Sequence, residues 1–415
     1  MRNRSGWWLI IVIMLLLDLY VFQVVKALAS GATEKARLII YSIYWFVSIA
    51  SVAFLLLLPL FESETWPKTI RNYVFATVAG IFFAKLLAAV FFLLDDVRRG
   101  ITWILSRVFP GDNSGNTNNS WNLSRSAFMS WLGVGIGGGF LGTFVYGFSN
   151  KYNYDVKRVK LAYKNLPEGF RGLKIVQISD VHSGSFGNKT AVNKGVELIL
   201  KENADVIFFT GDLVNDRAGE MKNYMNVFSK LKAPMGVFSI LGNHDYGDYV
   251  QWESDAAKKQ NLETLKKVHG QLGWRLLVDE NVELKKGADS IALIGIQNWS
   301  ARNSFPKYGN LTKAYAGAEK YPFKILLSHD PTHWDAEVRP KFSDVDLMLA
   351  GHTHGMQFGL ETPFFKWSPV QWVYKQWAGL YEEGNQKLYV NRGYGFIGYP
   401  GRVGILPEIT VIELG

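Results

Sequence analysis

The amino-acid sequence predicts an α/β domain that follows a group of membrane-spanning helices. Long, nearly uninterrupted apolar stretches occur only within the first 150 residues of the 415-residue chain. From residue 151 onward, short apolar runs alternate with polar, helix-forming stretches, which is typical of strands joined by crossover helices. We therefore divide the chain into a transmembrane helical domain at 1–150 and an α/β domain at 151–415.

The composition excludes several kinds of site and partner. The chain has no cysteine, which excludes disulfides, thiolate metal ligands and cysteine nucleophiles. The net charge of +9 comes from basic residues that are scattered along the chain, and several of them follow the last apolar stretch, where they suit an anionic membrane surface. We therefore expect the lipid bilayer, and no nucleic acid, as a partner.

Four apolar stretches are each close to the ~20 residues needed to cross a bilayer. They cover residues 7–25, 38–61, 72–94 and 126–149. Asp18 lies in the first stretch and Lys85 in the third, where a charge is costly unless it faces a neighbouring helix. We expect an interhelical polar contact there, and a role in a transport pathway is the alternative. The glycine-rich fourth stretch predicts close helix packing, because no Gly-Lys-Ser/Thr follows to complete a phosphate-binding loop.

Residues 95–125 are predicted to form an interfacial helix followed by a flexible loop. Lys and Arg are slightly more frequent at the ends of the spans that lie inside when the N-terminus is inside. This bias predicts a multi-pass cell-membrane protein whose α/β domain is cytoplasmic. Residues 27–29, Ala-Leu-Ala, resemble a signal-peptidase site, but removing the first span would leave the α/β domain on the same side.

Five apolar runs in the α/β domain each end at residues able to bind metal. They lead into Asp180-Val181-His182, Gly211-Asp212, Gly242-Asn243-His244-Asp245, His329-Asp330 and Gly351-His352-Thr353-His354. Stretches of helical character at 191–203, 220–232 and 255–272 fit as crossovers. Since ligands of an open α/β sheet bind beyond the carboxyl ends of its strands, the five motifs are expected to converge on one edge.

The converging side chains are carboxylates, an amide and imidazoles. This set suits hard or borderline divalent ions, namely manganese, iron, zinc or magnesium. Five of the seven histidines fall in these motifs, which is not expected of histidines with structural roles. His269 and His333, which lie outside the motifs, are interpreted as structural.

In order and spacing, the motifs resemble the signature of the calcineurin-like metallophosphoesterases over about residues 153–415. The tail from Tyr389 through Arg402 is similar to the membrane-tethered bacterial branch of that family. The resemblance implies an α/β/β/α sandwich and a metal-dependent hydrolase of phosphate esters or anhydrides. It also implies two divalent metal ions, the first held by Asp180, His182 and His354, the second by Asn243, His329 and His352, and both bridged by Asp212.

The resemblance implies further that His244 acts near the leaving group, as a proton donor or by stabilising the developing charge. Arg402 is predicted to contact the substrate. Two positions depart from the family's pattern. Many relatives orient the histidine with an aspartate where this chain has Asn215, so the group that orients His244 is left open. Met356 stands where relatives often have a second glycine, so the loop backbone there is expected to differ.

An aromatic segment directly follows the last motif, between Met356 and Tyr381. It contains Phe358, Phe364, Phe365, Trp367, Trp372, Tyr374 and Trp377. Because tryptophan and tyrosine favour the membrane–water boundary, this segment either lies on the bilayer and admits a lipid-borne phosphate, or packs as a core helix. In the loop at 297–323, Arg302, Lys307 and Lys313 either clamp phosphate or are solvated, and solvation is favoured.

We therefore expect hydrolysis of a phosphate ester or pyrophosphate on a membrane lipid or lipid-linked substrate. A nucleotide-lipid pyrophosphatase acting on a substrate such as UDP-diacylglucosamine is the close alternative. An inactive metal-binding membrane sensor or scaffold is the alternative from another class, and the presence of all the expected ligands and of His244 argues against it. A transporter is disfavoured because the spans have little internal polarity.

Overall fold

The described residues of the computed structural model, 5–57, 68–108 and 120–415, divide into two units between Tyr146 and Gly147. In the first unit, helices cover the described part of the four predicted apolar stretches: α1 (Ser5–Leu28), α2 (Glu34–Leu57), α3 (Lys68–Val108) and α4 (Ser120–Tyr146). Residues 58–61 of the second stretch lie outside the described residues. Each of these helices is long and apolar enough to cross a membrane. The expectation of four spans is therefore confirmed by helix length and composition.

Helix α3 is longer than the sequence predicted. It continues for 41 residues, past the expected end of the span at residue 94. The charged residues that follow pair within the helix, Arg98 with Asp95 at 2.8 Å and Arg99 with Asp96 at 3.6 Å, and such pairs stabilise a continuous helix. The expected interfacial helix is thus the last part of α3. Most of the expected flexible loop, residues 109–119, lies outside the described residues.

A buried ion pair joins three helices of the first unit. Lys85 Nζ in α3 lies 2.5 Å from Asp18 Oδ1 in α1 and 2.7 Å from Ser48 Oγ in α2. The expected interhelical polar contact of Asp18 and Lys85 is confirmed. The close packing expected of the α4 glycines is confirmed for Gly133 and Gly137, where an added Cβ would lie 2.9 Å and 2.5 Å from the carbonyl oxygens of Ala88 and Ala84. It is not seen at Gly135, Gly138, Gly139 or Gly142, where an added Cβ would meet nothing within 4 Å.

The second unit contains two six-stranded sheets. The first sheet has, in spatial order, β1 (Asp155–Leu161), β14 (Glu408–Leu414), β2 (Lys174–Ile178), β3 (Val206–Phe209), β4 (Val237–Ser239) and β5 (Arg275–Leu276). The second has β12 (Gly379–Glu383), β13 (Gln386–Val390), β9 (Leu347–Ala350), β8 (Lys324–Leu327), β7 (Asp289–Gly295) and β6 (Glu280–Lys286). A two-stranded ribbon consists of β10 (Leu360–Glu361) and β11 (Lys366–Trp367). Strands β2 to β5 pair in parallel, as do β7, β8, β9 and β13.

The two sheets pack face to face around a shared apolar core. This core contains Ile175 and Phe208 of the first sheet and Leu293, Leu327 and Leu349 of the second, all of them buried. The outer face of the first sheet is covered by α5 (Lys189–Lys201), α6 (Met225–Phe228) and α7 (Asp255–Gln271). The outer face of the second is covered by α8 (Leu311–Tyr315) and by a π-helical turn (Trp334–Val338) that continues into α9 (Arg339–Lys341). The expected α/β/β/α sandwich is confirmed.

The crossover helices form where capping and apolar spacing favour them. Asn188 caps α5, and residues three or four apart bury one face of that helix: Val192, Val196 and Ile199. The stretches at 191–203 and 255–272 are α5 and α7, as expected. The stretch at 220–232 is only partly helical, because a 3-10 turn at Ala218–Asn223 precedes the single turn of α6.

The sequence suggested that the five motif strands belong to one sheet. In the structure they are divided between two sheets. Strands β2, β3 and β4 are neighbours in the first sheet, and β8 and β9 are neighbours in the second. Because each set is parallel, its carboxyl ends share an edge, and the loops that follow from the two sheets meet at one end of the sandwich.

Candidate metal centre

Loops from both sheets bring a first group of metal-binding side chains together. Asp180 and His182 follow β2, and His354 follows β9. His182 Nε2 lies 3.0 Å from His354 Nε2, and the latter lies 3.2 Å from Asp180 Oδ1. The ligand atoms of this group all lie within 4.8 Å of one another, and all three residues are buried. Two imidazole nitrogens and a carboxylate oxygen therefore converge as they would around one divalent ion.

A second group lies beside the first. It consists of Asp212 after β3, His329 after β8 and His352 after β9, again with ligand atoms within 4.8 Å of one another. His329 Nε2 lies 3.2 Å from Asp212 Oδ2, and His352 Nδ1 lies 2.8 Å from Asn243 Oδ1. His329 donates its Nδ1–H to the carbonyl oxygen of Thr210 at 2.7 Å, so its buried Nε2 faces the centre and the Asp212 carboxylate.

Asp212 lies between the two groups. Its Oδ2 is 3.2 Å from His329 Nε2 and 3.6 Å from His182 Nε2, so a single carboxylate oxygen faces ligands of both groups. The residues that the sequence assigned to two metals are thus all brought together, with Asp212 between the two groups. A divalent ion in each group fits this set, because in each group imidazole nitrogens and a carboxylate oxygen converge within reach of one ion.

The charges of the ligand set favour cations. Burial lowers the pKa of His182 well below its usual value, so this imidazole is neutral. Burial opposes ionisation of Asp212, but the charge of His329 outweighs it and holds the carboxyl pKa well below its usual range. Burial also favours the neutral form of His329, yet the Asp212 carboxylate raises its pKa to about 10. Asp212 is therefore ionised and paired with a proton that a metal ion would replace.

The ligands sit on unusual backbone. Five of the seven have a positive φ: Asp180 (53°), His182 (48°), Asp212 (62°), His352 (73°) and His354 (51°). Left-handed backbone is disfavoured for residues with a Cβ and persists only where its surroundings impose it. A glycine before a ligand provides the room, since a Cβ at Gly351 would lie 1.9 Å from Ser179 Oγ.

The Asp245 carboxylate holds the loop that carries Asp212. It is fully buried and accepts backbone N–H bonds from Asp212 and Gly242 at 2.9 Å, and from Leu213 at 2.8 Å and Val214 at 3.3 Å. The last residue of the Gly-Asn-His-Asp motif is therefore a positioning residue, and it does not belong to either ligand group.

His244 is oriented by backbone and not by a side chain. It donates its Nδ1–H to the carbonyl oxygen of Asn215 at 2.8 Å, and its own N–H is donated to Asp212 Oδ1 at 2.8 Å. The Asn215 side chain instead bonds Ser185 Oγ. The carbonyl fixes the ring so that Nε2 is the nitrogen left for chemistry, which answers the question that Asn215 raised.

The prediction for Arg402 needs correction. Its side chain is fully buried, and it donates to the carbonyl oxygens of Arg392 at 2.8 Å, His354 at 3.1 Å, Gly393 at 3.2 Å and also Gly395. No substrate reaches a guanidinium enclosed in this way. Arg402 supports the loop that carries the ligand His354, and burial lowers its pKa to about 9.

The sequence interpretation missed three residues that contact the ligands. Tyr374 places its hydroxyl 2.8 Å from His352 Nε2, the nitrogen that faces away from Asn243. Asp330 Oδ2 lies 3.5 Å from the same nitrogen. Tyr249 accepts a hydrogen bond from Asn243 Nδ2 at 2.9 Å, which turns the amide oxygen toward His352. Asp330 could have been found from its place beside His329, whereas the two tyrosines carry no spacing signal.

A cleft opens above the ligands, and one of its walls is apolar. His182, Asp212, Asn243, His244, His352 and His354 line its floor. The wall is formed by Phe305, Met356, Val370, Val373, Tyr374 and Ile397. Met356 has φ 55°, so the loop keeps the left-handed backbone that glycine would favour, although the sequence had suggested a different backbone. Arg302 lies at the edge of the cleft. It donates a hydrogen bond to the Val373 carbonyl oxygen at 2.9 Å, and its guanidinium lies over the ring of Tyr374.

Comparison with known proteins covers both units. A profile described as a probable calcineurin-like phosphoesterase transmembrane domain matches residues 1–151, and the calcineurin-like phosphoesterase profile matches residues 173–356. The uncharacterized metallophosphoesterase YkuE of Bacillus subtilis is 32% identical over 255 residues, which are 60% of this chain and 81% of that protein. A transmembrane protein with metallophosphoesterase domain of Danio rerio is 30% identical over 262 residues, which are 62% of this chain.

The match spans only 56% of the Danio rerio protein's length. An uncharacterized metallophosphoesterase of Helicobacter pylori (strain ATCC 700392 / 26695) is 25% identical over 391 residues, which cover 88% of this chain and 98% of that protein. Its alignment therefore includes most of the helical unit as well as the sandwich.

Proposed function

Because the chain belongs to the calcineurin-like metallophosphoesterase family, we propose that it hydrolyses a phosphate ester or pyrophosphate with two divalent metal ions. Asp180, His182 and His354 hold the first ion, and Asn243, His329 and His352 hold the second. The observation that carries the proposal is the place of Asp212, whose Oδ2 faces histidines of both groups. When bound, the two ions activate a water for attack on phosphorus and neutralise charge on the phosphoryl oxygens.

His244 serves the leaving group in this proposal. Its Nδ1–H is held by the Asn215 carbonyl, and its ring lies 4.9 Å from that of His182, beside the metal ligands. In its protonated form it gives the Nε2 proton to the departing oxygen. The backbone N–H of His244 also holds Asp212 Oδ1, so the same residue keeps the bridging carboxylate in place.

The substrate proposed is a phosphorylated lipid or lipid-linked molecule. Two observations support it: four helices suited to a bilayer, and a cleft whose wall next to the ligands is apolar. A substrate confined to the bilayer is presented to the enzyme at high local concentration. We place the catalytic unit on the cytoplasmic side, in line with the Lys and Arg distribution around the spans. A sensor without activity has no need of the complete ligand set together with His244.

The test uses the full-length protein purified in detergent. Chelation of its metals should abolish hydrolysis of a small chromogenic phosphate ester, and titration with Mn²⁺, Fe²⁺, Zn²⁺ or Mg²⁺ should restore it. Asp212→Asn should abolish turnover and weaken binding of both ions, because one ligand serves two metals. Asp255→Asn, at an exposed site at the start of α7, is the matched control. Near-normal turnover of Asp212→Asn with two ions bound would overturn the proposal.

A panel of phospholipids, prenyl phosphates and nucleotide-lipids then separates the substrate classes. We expect the wild-type protein to prefer a lipid-linked phosphate over its water-soluble head group. Equal turnover of the two would reject the lipid part of the proposal and leave the hydrolase itself standing.

A further inference from the structure

The aromatic segment forms an exposed apolar rim beside the metal cleft. We define the apolar rim by its six members: Met356, Leu360, Phe364, Phe365, Trp372 and Val373. Phe364 is 98% exposed, Trp372 74% and Phe365 55%. A soluble surface scatters such side chains singly, whereas a cluster of large exposed apolar side chains marks a contact site.

The rim is built on ordered backbone. Phe364 and Phe365 lie at the tip of the β10–β11 ribbon, where Thr362 donates its N–H to the Phe365 carbonyl oxygen at 2.8 Å and Phe365 donates its N–H to Thr362 Oγ1 at 3.0 Å. Trp372 ends a 3-10 turn, Pro369–Trp372, that is capped by Ser368. The apolar side chains are therefore held outward by local hydrogen bonds.

The rest of the segment shows that exposure of the rim is selective. Val370, Tyr374 and Trp377 are buried in a small core together with Ala378 and Ile405. The aromatic segment thus has an inner face that packs and an outer face that does not, and neither face belongs to a core helix. Among the tryptophans of the segment only Trp372 is exposed, since Trp377 is buried and Trp367 is half-buried.

We propose that the apolar rim docks into the interfacial layer of a phospholipid bilayer. The chain itself brings a bilayer within reach, because four of its helices are suited to span one. The charge beside the rim is complementary to lipid phosphates, because Arg302 is exposed and donates a hydrogen bond to the carbonyl oxygen of Val373. Aromatic side chains with flanking cations are the composition that favours a membrane interface.

The rim is also continuous with the cleft. Met356 and Val373 are both exposed members of the rim and members of the cleft wall. Tyr374, the neighbour of Val373, contacts the ligand His352 through its hydroxyl. If the proposed function holds, a lipid that leaves the bilayer partway meets the apolar side chains of Met356 and Val373 on its way to the ligands. The rim is then the entry surface for the substrate.

The absence of cysteine permits a clean test. Single-cysteine variants Phe364→Cys and Trp372→Cys of the full-length protein are labelled with an environment-sensitive fluorophore and reconstituted into phospholipid nanodiscs. Ala288→Cys is the matched control, because it is exposed in the β6–β7 turn, at the end of the sheet opposite to the cleft. Quenching by a lipid-attached nitroxide and by aqueous iodide is measured for each label, with thermal unfolding as a check of the fold.

We expect the labels at 364 and 372 to be quenched by the lipid-attached nitroxide roughly threefold more than the label at 288, and to be protected from iodide. Iodide quenching equal to that of the control would overturn the proposal. Protection from both quenchers would overturn it too, since a protein partner or a second copy would then cover the rim. None of these readouts depends on hydrolysis. The docking proposal and the proposed function are therefore tested independently of each other.

Discussion

Replacement of Arg402 distinguishes support of the ligands from contact with the substrate. In Arg402→Met, the carbonyl oxygens of His354, Arg392 and Gly395 lose a buried donor. Each such loss costs about 1–2 kcal/mol, and removal of a buried charge offsets part of the sum, so we expect a net loss of about 3 kcal/mol. For a folding unit of this size, that corresponds to a decrease in Tm of roughly 6–12 °C.

The assay for Arg402 combines thermal unfolding, metal content and steady-state kinetics on the full-length protein. Because the arginine holds the loop of His354, the variant should bind the first metal more weakly and have a lower kcat. Added metal should restore part of the lost kcat. Arg402→Lys, which keeps one cationic donor, should be intermediate in both Tm and metal content. A raised KM with unchanged Tm and full metal content would refute this reasoning and restore Arg402 as a substrate contact.

Three further predictions concern single residues. His244→Ala should keep both ions yet lower kcat about 10²-fold, and loss of metal together with activity would make His244 a ligand. Tyr374→Phe removes the hydroxyl next to His352 Nε2 and should weaken binding of the second metal about tenfold, measured by metal titration at unchanged Tm. Burial lowers the pKa of His269 to about 3, so the stability it contributes is fully present above its unfolded pKa of ~6.5 and is lost progressively as the pH falls from there toward about 3. Between pH 8 and pH 5, the free energy of unfolding of the wild type should decrease by about 2 kcal/mol more than that of His269→Gln, as measured by thermal unfolding. Equal decreases would contradict a buried, neutral His269.

The ligand residues were predictable because their chemistry is local in the sequence. A run of apolar residues that stops at Asp180 or His352 indicates both the strand and the polar group at its end. The division of the motif strands between two sheets was not predictable in this way, since strands of either sheet have the same buried pattern. Strand pairing across a sandwich depends on contacts far apart in the chain, such as that of β14 with β1 and β2.

Arg402 and helix α3 illustrate what sequence patterns leave undetermined. An arginine in a glycine-rich tail has the same appearance whether it faces a substrate or is enclosed by carbonyl groups, because its partners are backbone atoms. The charges at Asp95 and Arg98 resemble the end of a span, yet they pair one helical turn apart and the helix continues. For Arg402 the deciding partners are backbone atoms without a side-chain signature, and for α3 the same charged side chains fit either the end of a span or a continuing helix.

The left-handed backbone of the ligands has a consequence for how such a protein can change over generations. Each of the five ligands with a positive φ holds roughly 1–2 kcal/mol of unfavourable conformational energy, and a glycine at the same position would hold almost none. Mutations that destroy the metal centre can therefore raise the stability of the fold. Drift toward an inert but more robust protein would be thermodynamically downhill, and the proposed metal-dependent function would be the force that opposes it.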